Sequence, residues 1–205
     1  MGTDYKGNRL EWEEIETEHI IQDEWIDFRR SAYRFPDGST FSPFYSYSRR
    51  NFVVICARDA DGNYILVRQY RQGLREVTNE FVAGGIERTD GKEYGSSDQN
   101  MESALEAAKR ELKEESGYVS DDWTFLVCTP SNPTLADNYA YLFFADRCRR
   151  ESGQDLDETE FLNCFTVTPQ ELDQMIRSGS FQQPIHLLAF LLSKPEHRQA
   201  NDVVK

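Results

Sequence analysis

Residues 101–118 read MESALEAAKRELKEESGY and carry the strongest structural signal in the chain. The spacing of its apolar residues predicts a helix from Met101 to Ser116, and Gly117 favours the end of that helix. At 100° per residue the apolar side chains form one face. Three carboxylates fall within an arc of about 100° beside that face, on Glu111, Glu114 and Glu115.

Crowded carboxylates of this kind have two interpretations. In the ordinary one they form a solvated acidic face that pairs with Arg110 and Lys113, because charge runs are usually solvated. In the other, a divalent cation relieves a repulsion that destabilises the helix, more so where the carboxylates are partly buried. Mg²⁺ and Mn²⁺ prefer oxygen ligands and also bind phosphate.

The order of the residues favours the cation, because it resembles a known motif. Arg110 and Glu111 are followed by an aliphatic residue, any residue, two glutamates, any residue and Gly117. Glu102 precedes Arg110 with seven residues between them. This pattern is similar to the Nudix box. The resemblance implies a Mg²⁺- or Mn²⁺-dependent hydrolase that cleaves a nucleoside diphosphate linked to another group.

The region before the helix departs from the motif. The family has a glycine where this chain has Ser96, and Val82 stands where a proline is common. The sequence FVAGGIE at residues 81–87 resembles the strand and glycine loop of the family, displaced upstream. Gly84 is about 12 positions too far from the first glutamate of the motif, which predicts a surface insertion within 86–100.

The resemblance alone implies roles for individual residues. Glu111 and Glu115 would ligate the metal, and the carbonyl of Ala83 could complete the site. Glu114 would be a further ligand or the base that activates water. Arg110 would orient a glutamate through a charge-assisted hydrogen bond. The cation would polarise a phosphate and lower the pKa of a bound water, so that in-line attack on phosphorus splits the diphosphate.

Similarity outside the motif, over about residues 40–190, resembles the branch of the family that hydrolyses ADP-ribose and nucleotide sugars. It includes LVRQYR at 66–71 and EFVAGG at 80–85. The resemblance implies substrate contacts from three residues in these stretches: Arg68, Arg71 and Glu80. As an alternative, the two arginines are ordinary surface charges at the end of a strand.

Two later features extend the same resemblance. Pro133 lies 16 positions after Gly117, close to the spacing of a proline associated with ADP-ribose hydrolases, and it would contact substrate. The acidic stretch Asp155–Phe161 resembles a loop in which Glu160 would serve as a base or an extra metal ligand. The alternatives are a turn proline and a solvated loop.

Strand and helix patterns alternate irregularly along the chain, which predicts an α+β fold. Strands are predicted at 24–33, 52–57, 64–70, 76–83, 123–129, 139–145 and 161–168. Helices are predicted at 101–116 and 183–193, and a further helix is predicted to begin at residue 169. With the resemblance, this predicts a Nudix-type α/β/α sandwich with a mixed sheet and an N-terminal antiparallel β extension. The predicted parts are the extension at 1–48, a Nudix domain at 49–195 and a flexible tail at 196–205.

Composition limits the partners. The chain has 205 residues and a formal net charge of −13, which argues against nucleic acid or an anionic membrane surface as a partner. The longest apolar run, Ile185–Leu192, is too short to span a bilayer. The N-terminus has no apolar signal core. The four cysteines lie far apart without zinc-site spacing, which indicates a cytoplasmic location.

Oligomeric state and substrate are the least constrained expectations. Relatives of this branch are commonly dimers with exchanged N-terminal strands, and the aromatic-rich residues 10–50 are compatible with a homodimer. Two other functions stay open: hydrolysis of a different diphosphate, such as a dinucleoside polyphosphate, and a non-catalytic sensor that binds an ADP-ribose-like ligand. The complete set of three glutamates argues against the sensor.

Overall fold

The computed structural model describes residues 6–7, 9–23, 25–87 and 102–197. Contacts divide the chain into two compact units, one built mainly from the residues up to Arg50 with Pro130–Asn138, the other from most of the remainder. Most of the predicted insertion within 86–100 and of the predicted tail at 196–205 lies outside the described residues. In the described part of the chain, no helix has both the length and the apolar character needed to cross a membrane.

The first unit is an antiparallel sheet with the strand order β1–β2–β3. Its strands are β1 (Glu13–Gln22), β2 (Asp27–Arg34) and β3 (Thr40–Ser48). This sheet confirms the predicted antiparallel extension. A turn at Asp37–Gly38 joins β2 to β3, and Gly38 adopts a φ of 86°, in the left-handed region that favours glycine.

The second unit contains a mixed sheet and three helices. Its strands are β4 (Phe52–Asp59), β5 (Tyr64–Arg71), β6 (Glu76–Glu80), β7 (Val82–Gly85), β8 (Tyr118–Val119), β9 (Asp122–Pro130), β10 (Tyr139–Arg150) and β11 (Leu162–Val167). Its helices are α1 (Ala104–Ser116), α2 (Pro169–Ser178) and α3 (Pro184–Ser193), followed by a short 3₁₀ turn at Pro195–His197. The central strand β4 pairs in parallel with β10 and antiparallel with β5 and β7.

The side chains of β4 contribute alternately to two layers, one on each face of the sheet, because successive side chains of a strand point to opposite faces. Val53 and Ile55 pack in one buried cluster with Leu112 of α1. Val54 and Cys56 pack in a second cluster, which contains residues of α2 and α3. Both faces of the sheet are therefore covered by helices, which confirms the predicted α/β/α sandwich.

The strand predicted at 76–83 is divided in two. β6 pairs with β5 up to Glu80, and β7 pairs with β4 from Val82 onward, with Phe81 between them. The apolar pattern alone could not reveal this change of partner, because it depends on where two distant strands diverge. The division directs the short strand β7 toward α1.

Helix α1 starts three residues later than its apolar pattern indicates, because Ser103 caps it. The Ser103 side chain accepts from the backbone of Glu106, and the Glu106 side chain accepts in return from the Ser103 backbone. The helix ends at Gly117, which has a φ of 74°. A Cβ at Gly117 would lie 2.4 Å from the carbonyl oxygen of Ser152, so this position needs glycine for two reasons.

Candidate functional site

Three glutamates from two separate segments of the second unit meet beside α1. Glu111 and Glu115 lie one helical turn apart and are buried, whereas Glu160 lies in the loop before β11 and is half-buried. One carboxylate oxygen from each lies within 4.8 Å of the others. Among the described residues, this group does not include Glu114, which the helical pattern placed beside the other two.

Burial makes the full negative charge of this cluster costly. It raises the pKa of Glu111 to about 7, against the opposing charge of Arg110 and with a further contribution from Glu160. It raises the pKa of Glu115 well above its usual value, and the neighbouring Glu111 adds to that shift. A hard divalent cation fits this donor set, since all the ligands are oxygens and the cation would neutralise their charge.

Strand β7 supports the cluster from the sheet. The backbone N–H of Ala83 donates to Oε2 of Glu115 at 3.3 Å. A Cβ at Gly84 would lie 1.9 Å from Cδ of Glu111, so only glycine leaves room for that carboxylate. Gly84, which lies within β7, thus has a steric role at the site.

Among the described residues, Arg110 connects the helix to its surroundings with five hydrogen bonds, of which the longest, at 3.4 Å, runs from its Nε to Glu102 Oε2. Its Nη1 donates to Glu111 Oε1 and to Glu114 Oε2, both at 2.9 Å. Its Nη2 donates to Glu102 Oε1 at 2.7 Å and to the carbonyl of Gly85 at 2.9 Å. Arg110 therefore holds Glu111, and the same nitrogen binds the half-exposed Glu114, which lies outside the cluster.

The loop that carries Glu160 is attached to the C-terminal end of α1. The last carbonyls of a helix have no partner within it. Here the loop supplies partners for two of them, from Asp155 N–H to Glu114 O at 2.8 Å and from Gln154 Nε2 to Glu115 O at 2.7 Å. Just past the helix end, Gly117 O accepts from the N–H groups of Glu151 at 2.8 Å and Ser152 at 3.2 Å. These bonds place Glu160 beside the helix although it is distant from it in sequence.

Arg71 and Glu80 form an ion pair in the same unit. The Glu80 side chain is fully buried, and it accepts from Arg71 Nε at 2.9 Å and from Thr78 Oγ1 at 2.6 Å. Burial raises its pKa, but the hydrogen bond and charge of Arg71 outweigh that effect and lower the pKa to about 2. The charge of Arg71 also partly opposes the rise in the pKa of Glu115, which links this pair electrostatically to the cluster.

Two residues of this network were not singled out as site residues by the sequence analysis. Gln183 donates to Glu80 Oε1 at 3.3 Å, and Nδ1 of His186 accepts from the backbone N–H of Phe81 at 3.0 Å. The one signal in the sequence is a histidine inside the apolar run Ile185–Leu192. An isolated histidine does not indicate which backbone group it contacts, so the sequence could not reveal its partner.

The remaining predicted substrate residues are Arg68 and Pro133. Arg68 is exposed, donates to Asn79 Oδ1 at 2.7 Å and covers the ring of Phe165 at 5.0 Å. Pro133 is exposed in the first unit. It lies within a turn in which Leu135 N–H donates to Asn132 O at 3.0 Å. Their contacts with substrate stay predictions.

Comparisons with known proteins match most of the chain. The protein-family model described as "NUDIX domain" matches residues 48–186 of the chain. The chain is 28% identical over 170 residues to "ADP-ribose pyrophosphatase" of Bacillus subtilis (strain 168), covering 82% of this chain and 85% of that protein. It is 27% identical over 172 residues to "Methanol dehydrogenase activator" of Bacillus methanolicus, covering 83% and 86%.

A solved structure shares the fold. It is described as "Crystal structure of ADP compounds hydrolase" and superposes with a TM-score of 0.71 at 23% sequence identity. The similarity covers 90% of this chain and 93% of that one.

Proposed function

Because this chain belongs to the Nudix family of pyrophosphohydrolases, we propose that it hydrolyses ADP-ribose or a nucleotide sugar with Mg²⁺ or Mn²⁺. Water would add to one phosphorus of the diphosphate as the bridging P–O bond breaks. The products would be a nucleoside monophosphate and a sugar phosphate. The observation that carries this proposal is the group formed by Glu111, Glu115 and Glu160.

These three glutamates would hold the cation. When bound, the cation supplies Lewis-acid polarisation of a phosphate and lowers the pKa of water. The Ala83 carbonyl, from the segment that also contacts Glu115, is the backbone group assigned to the same site. Glu114 lies outside the group and is half-exposed, which supports a role as the base that takes the proton from the attacking water.

Arg71 would bind a phosphate of the substrate. Its Nε and Nη2 are held by Glu80. Nη1 makes no hydrogen bond to any residue that the structure describes, so its N–H groups would bind an anion. A guanidinium fixed by a buried carboxylate has lost its rotational freedom before substrate arrives, which favours orientation of the diphosphate. Glu80 would therefore act on substrate through Arg71. Arg68 and Pro133 are assigned to more distant parts of the substrate.

Phosphate release in a coupled phosphatase assay tests the function. The panel contains ADP-ribose, several nucleotide sugars and a dinucleoside polyphosphate, each with and without Mg²⁺. We expect metal-dependent cleavage of ADP-ribose or a nucleotide sugar, and a loss of orders of magnitude in kcat for Glu115→Gln. The exposed Glu158→Gln, in the same loop as Glu160, is the matched control and should retain activity.

Each other outcome changes the assignment. Cleavage of the dinucleoside polyphosphate alone would replace the substrate class. Binding of ADP-ribose without turnover, whichever metal is supplied, would support the non-catalytic sensor. The two named relatives are similar to the chain to nearly the same degree, so the panel is needed to choose a substrate.

A homodimer and a cytoplasmic location complete the proposal. Large apolar side chains of the first unit are exposed, and covering them is favourable: Leu10, Trp12, Ile15, Ile20, Ile21, Trp25, Phe41 and Tyr45. All four cysteines lie in the described part of the chain and none forms a disulfide there, as expected in a reducing compartment. Sedimentation equilibrium tests the dimer, and a monomer across micromolar concentrations would contradict it.

A further inference from the structure

The chain changes partner strands at a single residue. Phe81 belongs to neither of the two described ladders, since β6 ends at Glu80 and β7 begins at Val82. Its side chain is fully buried on the side of the sheet that α3 covers. A backbone N–H buried at such a place needs a partner, because an unpaired buried amide is unfavourable.

His186 of α3 is that partner. Its Nδ1 accepts from Phe81 N–H at 3.0 Å, and the two rings stack with an interplanar angle of 6°. Because Nδ1 accepts, the ring proton lies on Nε2, which is 4.0 Å from Glu80 Oε2. Burial lowers the pKa of His186 to about 4, although Glu80 opposes that shift, so the ring is neutral and can accept at neutral pH.

The strand change lies directly before the segment that contacts the carboxylates. Two residues after Phe81, the N–H of Ala83 donates to Glu115. Gly84 follows, and the space of its missing side chain is filled by the Glu111 carboxylate. A change in backbone direction at Phe81 would therefore move both contacts together.

We propose that His186 is a positioning residue of the metal site and acts from the opposite face of the sheet. By holding the Phe81 N–H, it fixes the strand change and, through Ala83 and Gly84, the placement of Glu115 and Glu111. The inference rests on the proposed function, because it concerns the same carboxylates. A histidine buried for packing alone would contribute to stability, and metal affinity would not depend on its acceptor nitrogen.

Mn²⁺ binding to the full chain, followed by electron paramagnetic resonance, tests the proposal without turnover. His186→Leu removes the acceptor, and we expect Mn²⁺ affinity to fall about 10- to 100-fold, as for other residues that orient metal ligands. His186→Asn places an amide oxygen near the position of Nδ1, and we expect it to retain affinity within about threefold, since the Phe81 N–H keeps an acceptor.

Leu172→Ala is the control for general destabilisation. Leu172 is fully buried in the same apolar cluster on the same face of the sheet. We expect this variant to lose thermal stability and to bind Mn²⁺ as the unsubstituted chain does. Unchanged affinity in His186→Leu, or equal losses in His186→Leu and Leu172→Ala, would overturn the proposal.

A second measurement uses the unsubstituted protein and does not depend on whether a variant folds. Addition of Mg²⁺ should shift the ¹⁵N resonances of the Phe81 amide and of His186 Nδ1, while the ring of His19 in the first unit serves as reference. Resonances of Phe81 and His186 that stay in place while Mg²⁺ binds would overturn the positioning role alone. A chain that binds neither Mg²⁺ nor Mn²⁺ would overturn the proposed function, and this inference with it.

Discussion

Gly84 faces Glu111 so closely that a Cβ on Gly84 would lie 1.9 Å from the carboxylate carbon of Glu111. No rotamer of an added methyl group could avoid this contact, because the position of a Cβ is fixed by the backbone. The pair joins a strand of the sheet to the helix that carries the glutamates. The site is thus shaped by the absence of a side chain as much as by the charged groups.

Gly84→Ala should lower kcat at least 100-fold, because Glu111 must leave its place among the three carboxylates. Mn²⁺ affinity should fall as well, and both are measured on the purified variant alongside thermal unfolding. Gly73→Ala is the matched control, since a Cβ there would meet nothing within 4 Å. Full activity in Gly84→Ala would show that Glu111 is not needed where the structure places it.

Gly117→Ala tests the attachment of the acidic loop to α1. Both Gly117 and Gly179 end a helix with positive φ, of 74° and 78°, so alanine at either should cost about 1–2 kcal/mol. At Gly117 the Cβ would also meet the Ser152 carbonyl at 2.4 Å, whereas at Gly179 it would meet nothing within 4 Å. We expect a similar cost from the positive φ in both variants, and a displaced loop with a large loss of kcat in Gly117→Ala only. Equal kcat values would contradict a role for the loop.

Glu160→Gln should weaken Mn²⁺ binding and lower kcat by more than tenfold, because one oxygen ligand loses its charge. Glu158→Gln, an exposed change two residues away, should leave both quantities unchanged. Isothermal titration with Mn²⁺ and initial rates provide the comparison. If both variants behave alike, the acidic loop is only a solvated surface.

Stabilisation by Mg²⁺ should grow with pH. The pKa of Glu111 is raised to about 7 without metal, so the stability gained from its protonation is present below about 4.5 and is lost as pH rises through 7. That loss is about 3 kcal/mol in the metal-free chain. Mg²⁺ requires the ionised carboxylate, so it should raise Tm more at pH 8 than at pH 6. An equal rise in Tm at both pH values would refute this prediction. So would a Glu111→Gln variant in which Mg²⁺ raises Tm as much as it does in the unsubstituted chain.

The Arg71–Glu80 pair should make the fold sensitive to acid. The pKa of Glu80 is lowered to about 2, so its stabilisation is present above about 4.5 and is lost as pH falls through 2. Urea unfolding should show a loss of about 3 kcal/mol over this range, partly seen by pH 3.5. Glu80→Gln should be less stable at pH 7 and depend less on pH, whereas Glu158→Gln should resemble the unsubstituted chain.

The candidate site could be predicted from sequence only where its geometry is local. Glu111 and Glu115 share a helix face because of helical periodicity, which depends only on their spacing in the sequence. Glu160 lies 45 positions after Glu115, and only the resemblance to a family suggested it. Its placement depends on hydrogen bonds from the loop to the last carbonyls of α1.

For Glu114, helical periodicity alone gives a misleading grouping with its neighbours. Periodicity places Glu114 within the same arc, yet Arg110 binds its carboxylate at 2.9 Å and the cluster forms without it. The outcome depends on Gly85 and Glu102, which hold the other nitrogen of Arg110. Those residues reach Arg110 only after the strand and the helix have packed together.

Local sequence patterns were enough to predict the mixed α+β composition, the α1 helix with a glycine at its C-terminal end, and the two carboxylates one helical turn apart. Each of these follows from interactions between residues within a few positions of one another. Three other features became visible only in the folded chain: Phe81 separates two strands, Glu80 is buried beneath Arg71, and His186 holds the backbone N–H of Phe81. The two contacts join residues 9 and 105 positions apart, and their geometry exists only once distant strands have paired and α3 has covered them.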